Sequence, residues 1–273
     1  AGIASLHRPP GPLLLQPCTA VVPVIDGVGN VSSVLVVGAA NPLCLATVDR
    51  LVGPRLSRVY ALDSNPDSLS RGAQRIADFG VPNVSQLWYP SRDPVAQRAA
   101  VTSAFEESDV DVIVIGPSPR TDSAATDATA IEDNAEYLER ALIDIVNLAG
   151  QCATSIAQQG HGVMTLFSHS PRKIPANLDH DYCAAMASLH ILAPSIAQVT
   201  ASNGGKTICA AIDPVRDPNS TRDAGVRSSA MSPLEVASEI VPAIVARRKR
   251  RTFEVISLPR SLRKSALRIR PGR

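Results

Sequence analysis

The predicted fold rests on one stretch of the sequence, Val34-Leu-Val-Val-Gly38-Ala-Ala-Asn-Pro-Leu-Cys-Leu45. Four consecutive apolar residues, Val34–Val37, end at Gly38, and apolar residues then recur with helical spacing over Leu43–Leu51. A short apolar run that stops at a glycine is typical of a strand buried on both faces, and the spacing after it indicates a helix. The stretch therefore predicts the first strand–turn–helix unit of a parallel sheet.

The same alternation of strands and helices continues along the chain. Ser232 and Glu235 flank Pro233 with the spacing of a capping box, which predicts the start of the last helix. An interruption is expected at Pro194. Repeated units of this kind predict an α/β fold, a Rossmann-like doubly wound parallel sheet in a single domain over residues 31–258. The further strands are predicted at 59–62, 86–89, 110–115, 162–167, 207–212 and 251–257, and the further helices at 68–78, 130–158, 182–200 and 233–246.

Composition places the chain among globular proteins. Its 273 residues are 45% hydrophobic and 19% charged, so it can bury a sizeable core and global disorder is excluded. No uninterrupted apolar run approaches 18 residues, so no transmembrane helix is expected. Aromatic residues make up only 3%, which argues against a base-stacking surface for single-stranded nucleic acid. Residues 1–30 hold five prolines and predict a Pro-rich extension without its own core, unlike a secretory signal.

The cysteines indicate a reducing environment. They are odd in number, scattered, and free of CxxC spacing, which excludes a zinc site of that type and a disulfide framework. No metal site is predicted. We expect small buried thiols in a cytoplasmic protein. The five are Cys18, Cys44, Cys152, Cys183 and Cys209.

The turn after the first strand is the candidate cofactor site. Doubly wound sheets bind ligands there, because glycines let a diphosphate approach the N–H groups of the following helix. Only Gly38 is present, whereas Pro42 has no N–H and Cys44 adds a side chain. Asp63 ends the second strand and favours NAD(H) over NADP(H), although Asp63-Ser64-Asn65-Pro66 is also an ordinary turn. The predicted cofactor-binding residues are Gly38, Asn41, Leu43, Asp63, Ser64 and Ser118.

Over residues 33–258 the chain resembles the short-chain dehydrogenase/reductase family. The resemblance rests on Val34–Gly38, Asp63, the run from Asp109 to Gly116, Gly160-His-Gly162 and Tyr182. Within the family it is most similar to the reductase that helps epimerise decaprenylphosphoryl ribose, a lipid-linked precursor of cell-wall polysaccharide. Residues 45–51, 159–162 and 257–263 carry that narrower similarity. The resemblance implies an NAD(P)-dependent oxidoreductase.

The family's catalytic residues are a tyrosine, a lysine four residues later, a serine thirteen residues earlier and an asparagine in the preceding helix. Aligned on Tyr182, the lysine position holds Met186, the serine position His169 and the asparagine position Ala141. A slip of one residue would bring Ser168 or Ser170 to the serine place. His169 could act as a hydrogen-bond donor or proton carrier instead. Tyr182 and His169 are therefore the candidate catalytic residues.

Charge is separated along the chain. Of the 27 basic residues, 11 lie in 247–273 together with one acid, Glu254, which leaves the rest of the chain acidic. If the end is helical, Leu258, Leu262, Ala266 and Ile269 form an apolar stripe. A basic amphipathic tail over 259–273 can lie on an anionic membrane, or its leucines can simply dock on the domain. Nucleic-acid binding through 247–251 is the least favoured alternative.

Three functions remain open from the sequence. The replaced catalytic positions favour a weak or inactive regulatory subunit that forms homo-oligomers, or hetero-oligomers with an active dehydrogenase. The alternative is an active NAD(H)-dependent reductase of a lipid-linked keto-sugar or other hydrophobic carbonyl, using Tyr182 and His169. A peripheral membrane scaffold acting through the tail is the third.

Overall fold

The computed structural model describes residues 31–118, 135–169, 180–212, 231–246 and 252–258. The extension 1–30, the basic run 247–251 and the tail 259–273 lie outside the described residues. The strands are β1 (Ser33–Val37), β2 (Arg58–Asp63), β3 (Asn83–Trp88), β4 (Val112–Ile115), β5 (Val163–His169), β6 (Lys206–Ile212) and β7 (Phe253–Leu258). The helices are α1 (Pro42–Leu51), α2 (Pro66–Asp78), α3 (Pro94–Glu107), α4 (Ile145–Gln159), α5 (His180–Ala201) and α6 (Pro233–Ile244).

The seven strands form one parallel sheet in the order β3-β2-β1-β4-β5-β6-β7. Successive residues of a strand point to opposite faces, so Val34 and Val36 join one apolar layer and Leu35 and Val37 the other. Helices α1, α2 and α6 cover the first face, and α3, α4 and α5 cover the second. The predicted α/β class, a Rossmann-like doubly wound parallel sheet, is confirmed.

Helix α3 was not predicted from the sequence. Its buried side chains are mostly small, and a polar residue, Gln97, is buried among them, so its apolar periodicity is weak. The start signal was nevertheless present, because Asp93 caps the helix and Pro94 occupies its first turn. Edge strand β3 also begins three residues earlier than predicted, since its alternation is largely polar.

Two helix predictions need correction. The segment before α4 contains a π-helical turn, Glu139–Asp144, so the long helix predicted over 130–158 is irregular where it is described. Pro194 does not interrupt α5, which runs from His180 to Ala201. A proline lacks one helical hydrogen bond and its ring crowds the preceding turn, yet the helix continues through the exposed Pro194. The predicted capping box at Ser232 and Glu235 is confirmed.

Leu258 corrects the predicted tail. It is the last residue of β7 and is buried in the core, so it does not begin an amphipathic helix. The other three residues of the stripe lie beyond the described part of the chain. Among the described helices, residues 181–201 of α5 are long and apolar enough to cross a membrane by length and composition alone. In this fold that helix packs Leu189 and Ala193 into the core against the sheet.

Candidate functional site

The turn between β1 and α1 brings two strand ends into direct contact. Gly38 has a φ of +84°, and a Cβ atom there would lie 1.9 Å from the carbonyl oxygen of Gly116. Only glycine satisfies both constraints. The ends of β1 and β4 therefore meet at the edge of the sheet where this fold class binds its ligands.

Asn41 is fully buried and connects these two ends. Its Oδ1 accepts hydrogen bonds from the backbone N–H groups of Leu43 and Cys44 at 2.8 and 3.3 Å. Its Nδ2 donates to the carbonyl oxygen of Pro117 at 2.6 Å. Because Pro42 has no N–H and the Leu45 N–H donates to the Asn41 carbonyl, every amide in the first turn of α1 is accounted for.

Cys44 lies buried beneath the same turn. A Cβ atom at Gly116 would approach its Sγ to 3.3 Å and the Nδ2 of Asn41 to 2.8 Å, so the three residues are closely packed. Burial raises the pKa of the Cys44 thiol, and the nearby Asp63 carboxylate raises it further. The thiol is therefore protonated at neutral pH and acts as a small apolar side chain.

Asp63 is also buried, and both of its carboxylate oxygens accept hydrogen bonds within the chain. Oδ1 accepts from the backbone N–H of Asn65 at 3.0 Å, and Oδ2 accepts from the Ser118 hydroxyl at 2.9 Å. The Ala39 backbone also stabilises the charged form. Burial outweighs these bonds and raises the pKa of Asp63.

We expect Asp63→Asn to change how stability depends on pH. A carboxyl group whose pKa is raised by folding stabilises the fold when protonated, and that contribution is lost as pH rises from about 4 through its folded-state pKa. The free energy of unfolding of the wild type should therefore fall relative to that of the variant as pH rises to 7. Urea unfolding at a series of pH values measures the difference. A constant difference across the range would contradict the assignment.

Two aromatic residues next to Asp63 were not predicted as site residues. The Trp88 Nε1–H donates to the Ser64 carbonyl at 3.0 Å, while 54% of its side chain remains exposed at the rim. Tyr89 is buried and forms a side-chain hydrogen bond with Ser64, and burial raises its pKa. Their signal in the sequence was the end of β3, because Trp88 pairs with Asp63 across the sheet.

The candidate catalytic residues Tyr182 and His169 lie together at the carboxyl end of β5, whose last residue is His169. Their ring centroids are 5.9 Å apart with the planes at 79°, an edge-to-face contact. His169 is buried, and its Nδ1 lies 2.8 Å from the carbonyl oxygen of Ile212. A carbonyl can only accept, so Nδ1 carries a proton and donates it to Ile212.

Ser168 cannot replace His169 at the serine position. Its hydroxyl points to the opposite face of the sheet, where it donates to the Ala210 carbonyl and contacts His190 at 3.3 Å. Neighbouring residues of a strand alternate between faces, so a slip of one residue reverses the side chain. Ser170 lies outside the described residues.

The remaining catalytic positions are occupied by apolar side chains. Met186 is fully buried and belongs to the core layer that contains Phe167 and Ile212. Ala141, at the asparagine position, packs in a small cluster with Tyr137, Ala185 and the partly buried Tyr182.

Tyr137 connects the two ends of the site and was missed by sequence reasoning. It is buried in the cluster beside Tyr182, and its hydroxyl donates to the Ser118 carbonyl at 3.1 Å. The nearby π-helical turn is fixed by Asp144, a buried carboxylate that accepts from Ser91, Gln97 and the Arg92 backbone. Tyr137 lies one turn before Ala141, a spacing that could have placed both on one helix face.

The structure therefore brings the predicted cofactor-binding residues to one edge of the sheet, and their roles stay predictions. The contacts described above link all six of these positions, which are Gly38, Asn41, Leu43, Asp63, Ser64 and Ser118. The four described cysteines are buried and free, and no group of three or more His, Cys, Asp or Glu side chains in the described segments could hold a metal.

No family model matches the chain. It is 25% identical over 244 residues to an uncharacterized oxidoreductase encoded in the mprA 5′ region of Streptomyces coelicolor, covering 87% of this chain and 91% of that protein. Its structure is similar to a short-chain dehydrogenase from Mycobacterium smegmatis, with a TM-score of 0.63, 20% identity and coverage of 85% and 93%.

Two further structures share the architecture. A variant of actinorhodin polyketide ketoreductase solved with NADPH has a TM-score of 0.64 at 18% identity, over 83% of this chain and 95% of that one. A gluconate 5-dehydrogenase from Burkholderia cenocepacia in complex with NADP and tartrate has a TM-score of 0.62 at 14% identity, over 84% and 94%. The chain thus has the single-domain, seven-stranded fold of the short-chain dehydrogenases.

Proposed function

We propose that the chain is an oxidoreductase homologue of the short-chain dehydrogenase type that does not carry out ordinary hydride transfer and serves as a partner subunit. The similarity to an oxidoreductase and the fold support the ancestry. The observation that carries the loss of chemistry is Met186, which is fully buried in the apolar core where the resemblance places the catalytic lysine.

The chemistry fails for a physical reason. Hydride transfer to a carbonyl needs a proton donor beside the developing alkoxide, and a cation next to the tyrosine makes its proton available near neutral pH. A thioether supplies neither positive charge nor a donor to the ribose hydroxyls. Ala141 likewise supplies no polar group, so nothing at these two positions supports proton transfer around Tyr182.

A turnover assay tests this proposal. Purified protein is mixed with NADH or NADPH and a panel of hydrophobic ketones and keto-sugars, and cofactor oxidation is followed against a Tyr182→Phe control. We expect equal, background rates for both proteins. Turnover by the wild type that Tyr182→Phe abolishes would overturn the proposal.

Exposed apolar residues in the helical layer that covers the second face of the sheet support the partner role. Ile143 is 52% exposed before α4, and Ile191 on α5 is 69% exposed. In the family the two corresponding helices commonly form the subunit contact, so we propose a homo-oligomer, or a hetero-oligomer with an active dehydrogenase, through this surface. Ile191→Glu should dissociate it in sedimentation velocity, whereas Val255→Glu, on the exposed side of β7, should leave the sedimentation coefficient unchanged. Equal behaviour of both variants would remove this surface from the assembly.

A second candidate is a reductase that uses Tyr182 and His169 on a hydrophobic carbonyl, such as a lipid-linked keto-sugar, with NAD(H). It is favoured by the edge-to-face contact of the two rings at one end of the sheet. In this mechanism Tyr182 protonates the substrate oxygen and His169, fixed by the Ile212 carbonyl, orients it. The same assay decides between the candidates, because only this one predicts turnover that His169→Ala and Tyr182→Phe both abolish.

We further propose a cytoplasmic location, with the tail as a peripheral membrane contact. The support is the basic composition of 247–273. Vesicles with anionic lipid should co-sediment the full chain and fail to co-sediment a chain that ends at Leu258. Equal sedimentation of both chains would show that the tail does not contribute to membrane binding.

A further inference from the structure

We propose that the nucleotide-binding turn is closed by the chain's own side chains, with Asn41 in place of a ligand's diphosphate and Ser118 in place of its ribose. This inference rests on the proposed function, since both assume a fold built around a dinucleotide. Asn41 and Ser118 are called the closing residues below. They are far apart in the sequence: Asn41 follows β1, and Ser118 follows the neighbouring strand β4.

The first half of the argument concerns the diphosphate. A helix N-terminus attracts an anion because its first N–H groups have no partner within the helix. Here those of Leu43 and Cys44 both donate to Asn41 Oδ1, and Pro42 has none. The carboxamide is held in place by its second bond, to the Pro117 carbonyl across the gap to β4. A diphosphate would have to displace a buried side chain that is bonded on both sides.

The second half concerns the ribose. A carboxylate at the end of β2 binds a ribose by accepting from its hydroxyl groups. In this structure Asp63 Oδ2 accepts from the Ser118 hydroxyl, and Oδ1 accepts from the Asn65 N–H. Ser118 is itself positioned by Tyr137, whose hydroxyl bonds its carbonyl. Both oxygens of the buried carboxylate therefore already accept hydrogen bonds from the chain itself, one of them from the side chain that would compete with a ribose hydroxyl.

The electrostatics point the same way. A diphosphate is an anion, and its binding requires positive charge or free donors near the helix N-terminus. The charge beside this turn is the Asp63 carboxylate, which lies close enough to raise the pKa of the Cys44 thiol. Arg140 lowers the pKa of Asp63, but its guanidinium is itself paired with Glu136 at 2.7 Å. When ionised, Asp63 therefore disfavours a further negative charge beside this turn.

The experiment opens the turn and measures NADH binding. Trp88 is the only tryptophan in the chain and lies at the rim beside Asp63, so energy transfer from its indole to bound NADH reports occupancy directly. The opened protein carries Asn41→Gly and Ser118→Ala, which remove both closing side chains and leave every apolar core residue in place. The matched control carries Asn203→Gly and Ser103→Ala, the same substitutions at positions away from the site, where each side chain donates to a backbone carbonyl.

We expect no saturable energy transfer for the wild type or the control up to millimolar NADH. For the opened protein we expect saturable transfer, with a Kd at least tenfold below the highest NADH concentration used. Adding Pro42→Gly and Cys44→Gly should lower the Kd further. Circular dichroism verifies that each variant is folded. Micromolar binding by the wild type, or equal binding by the folded opened protein and the control, would overturn the inference.

Binding and turnover separate the two proposals. If the opened protein binds NADH without oxidising it, both stand. If it binds and turns over carbonyl substrate, the closure stands and the claim that the catalytic positions are inactive fails. If the folded opened protein does not bind while turnover stays absent, the closure fails and the proposed function stands.

Discussion

Gly38→Ala should destabilise the fold by about 2–5 kcal/mol. The added methyl group would lie 1.9 Å from the Gly116 carbonyl oxygen, far inside van der Waals contact, so β1 and β4 would have to separate. Its φ of +84° adds a left-handed conformation that costs an alanine about 1–2 kcal/mol. Overpacking typically costs about 1–3 kcal/mol more. Denaturant unfolding of the purified variant measures the change.

Gly80→Ala is the matched control for this prediction. Gly80 has nearly the same φ, +89°, but a Cβ atom there would meet nothing within 4 Å. Its substitution should cost only the conformational term of about 1–2 kcal/mol. If the two variants lost equal stability, the close approach of the strand ends would contribute nothing.

Met186→Lys should cost about 3–5 kcal/mol at pH 7, the typical penalty of a buried charge without a partner. Met186 is fully buried among apolar side chains, so the new ammonium would have to leave the core or lose its proton. Met186→Leu preserves the volume and should cost less than about 1.5 kcal/mol. Both free energies of unfolding come from urea titrations at the same protein concentration.

The pH dependence of this pair gives a second measurement. Burial lowers the pKa of a lysine, so the unfolded state binds more protons and the stability of Met186→Lys should rise relative to Met186→Leu as pH increases towards about 10. A cost within about 1 kcal/mol would show that the added ammonium still reaches solvent beside Tyr182. That result would favour the reductase over the partner subunit.

The fold could be predicted from the sequence because its determinants are local. Val34–Val37 and Gly38 form a strand and turn whose pattern has few alternatives, and the same holds for 207–212. Helix α3 was not predicted because its four buried residues are two alanines, a valine and a glutamine, which give little contrast in polarity between its faces. The continuity of α5 through Pro194 could not be predicted either, because the local rules for proline indicate a break.

The candidate site was predictable only in part. Residue type and position along the strands identified Gly38, Asp63, Tyr182 and His169 as candidates. The hydrogen bonds that occupy these candidate ligand-binding groups join residues far apart in the sequence. Asn41 and Pro117 are 76 residues apart, and Asp63 and Ser118 are 55 apart. No spacing rule predicts hydrogen bonds between residues that come together only at the ends of different strands in the folded sheet. Tyr137 was missed because its contacts with Ser118 and Tyr182 also join residues that are separated in the sequence.

The strand order has a consequence for how the protein is made. The first four strands form a complete half-sheet, β3-β2-β1-β4, from residues 33–115, and each later strand adds to one growing edge. While the ribosome is still synthesising β5, the fully apolar run of β4, Val112–Ile115, has no neighbour on that side. An unpaired apolar edge is a template for pairing between chains. The apolar edge of β4 therefore stays unpaired until β5 has formed, and nascent chains can misassemble during that interval.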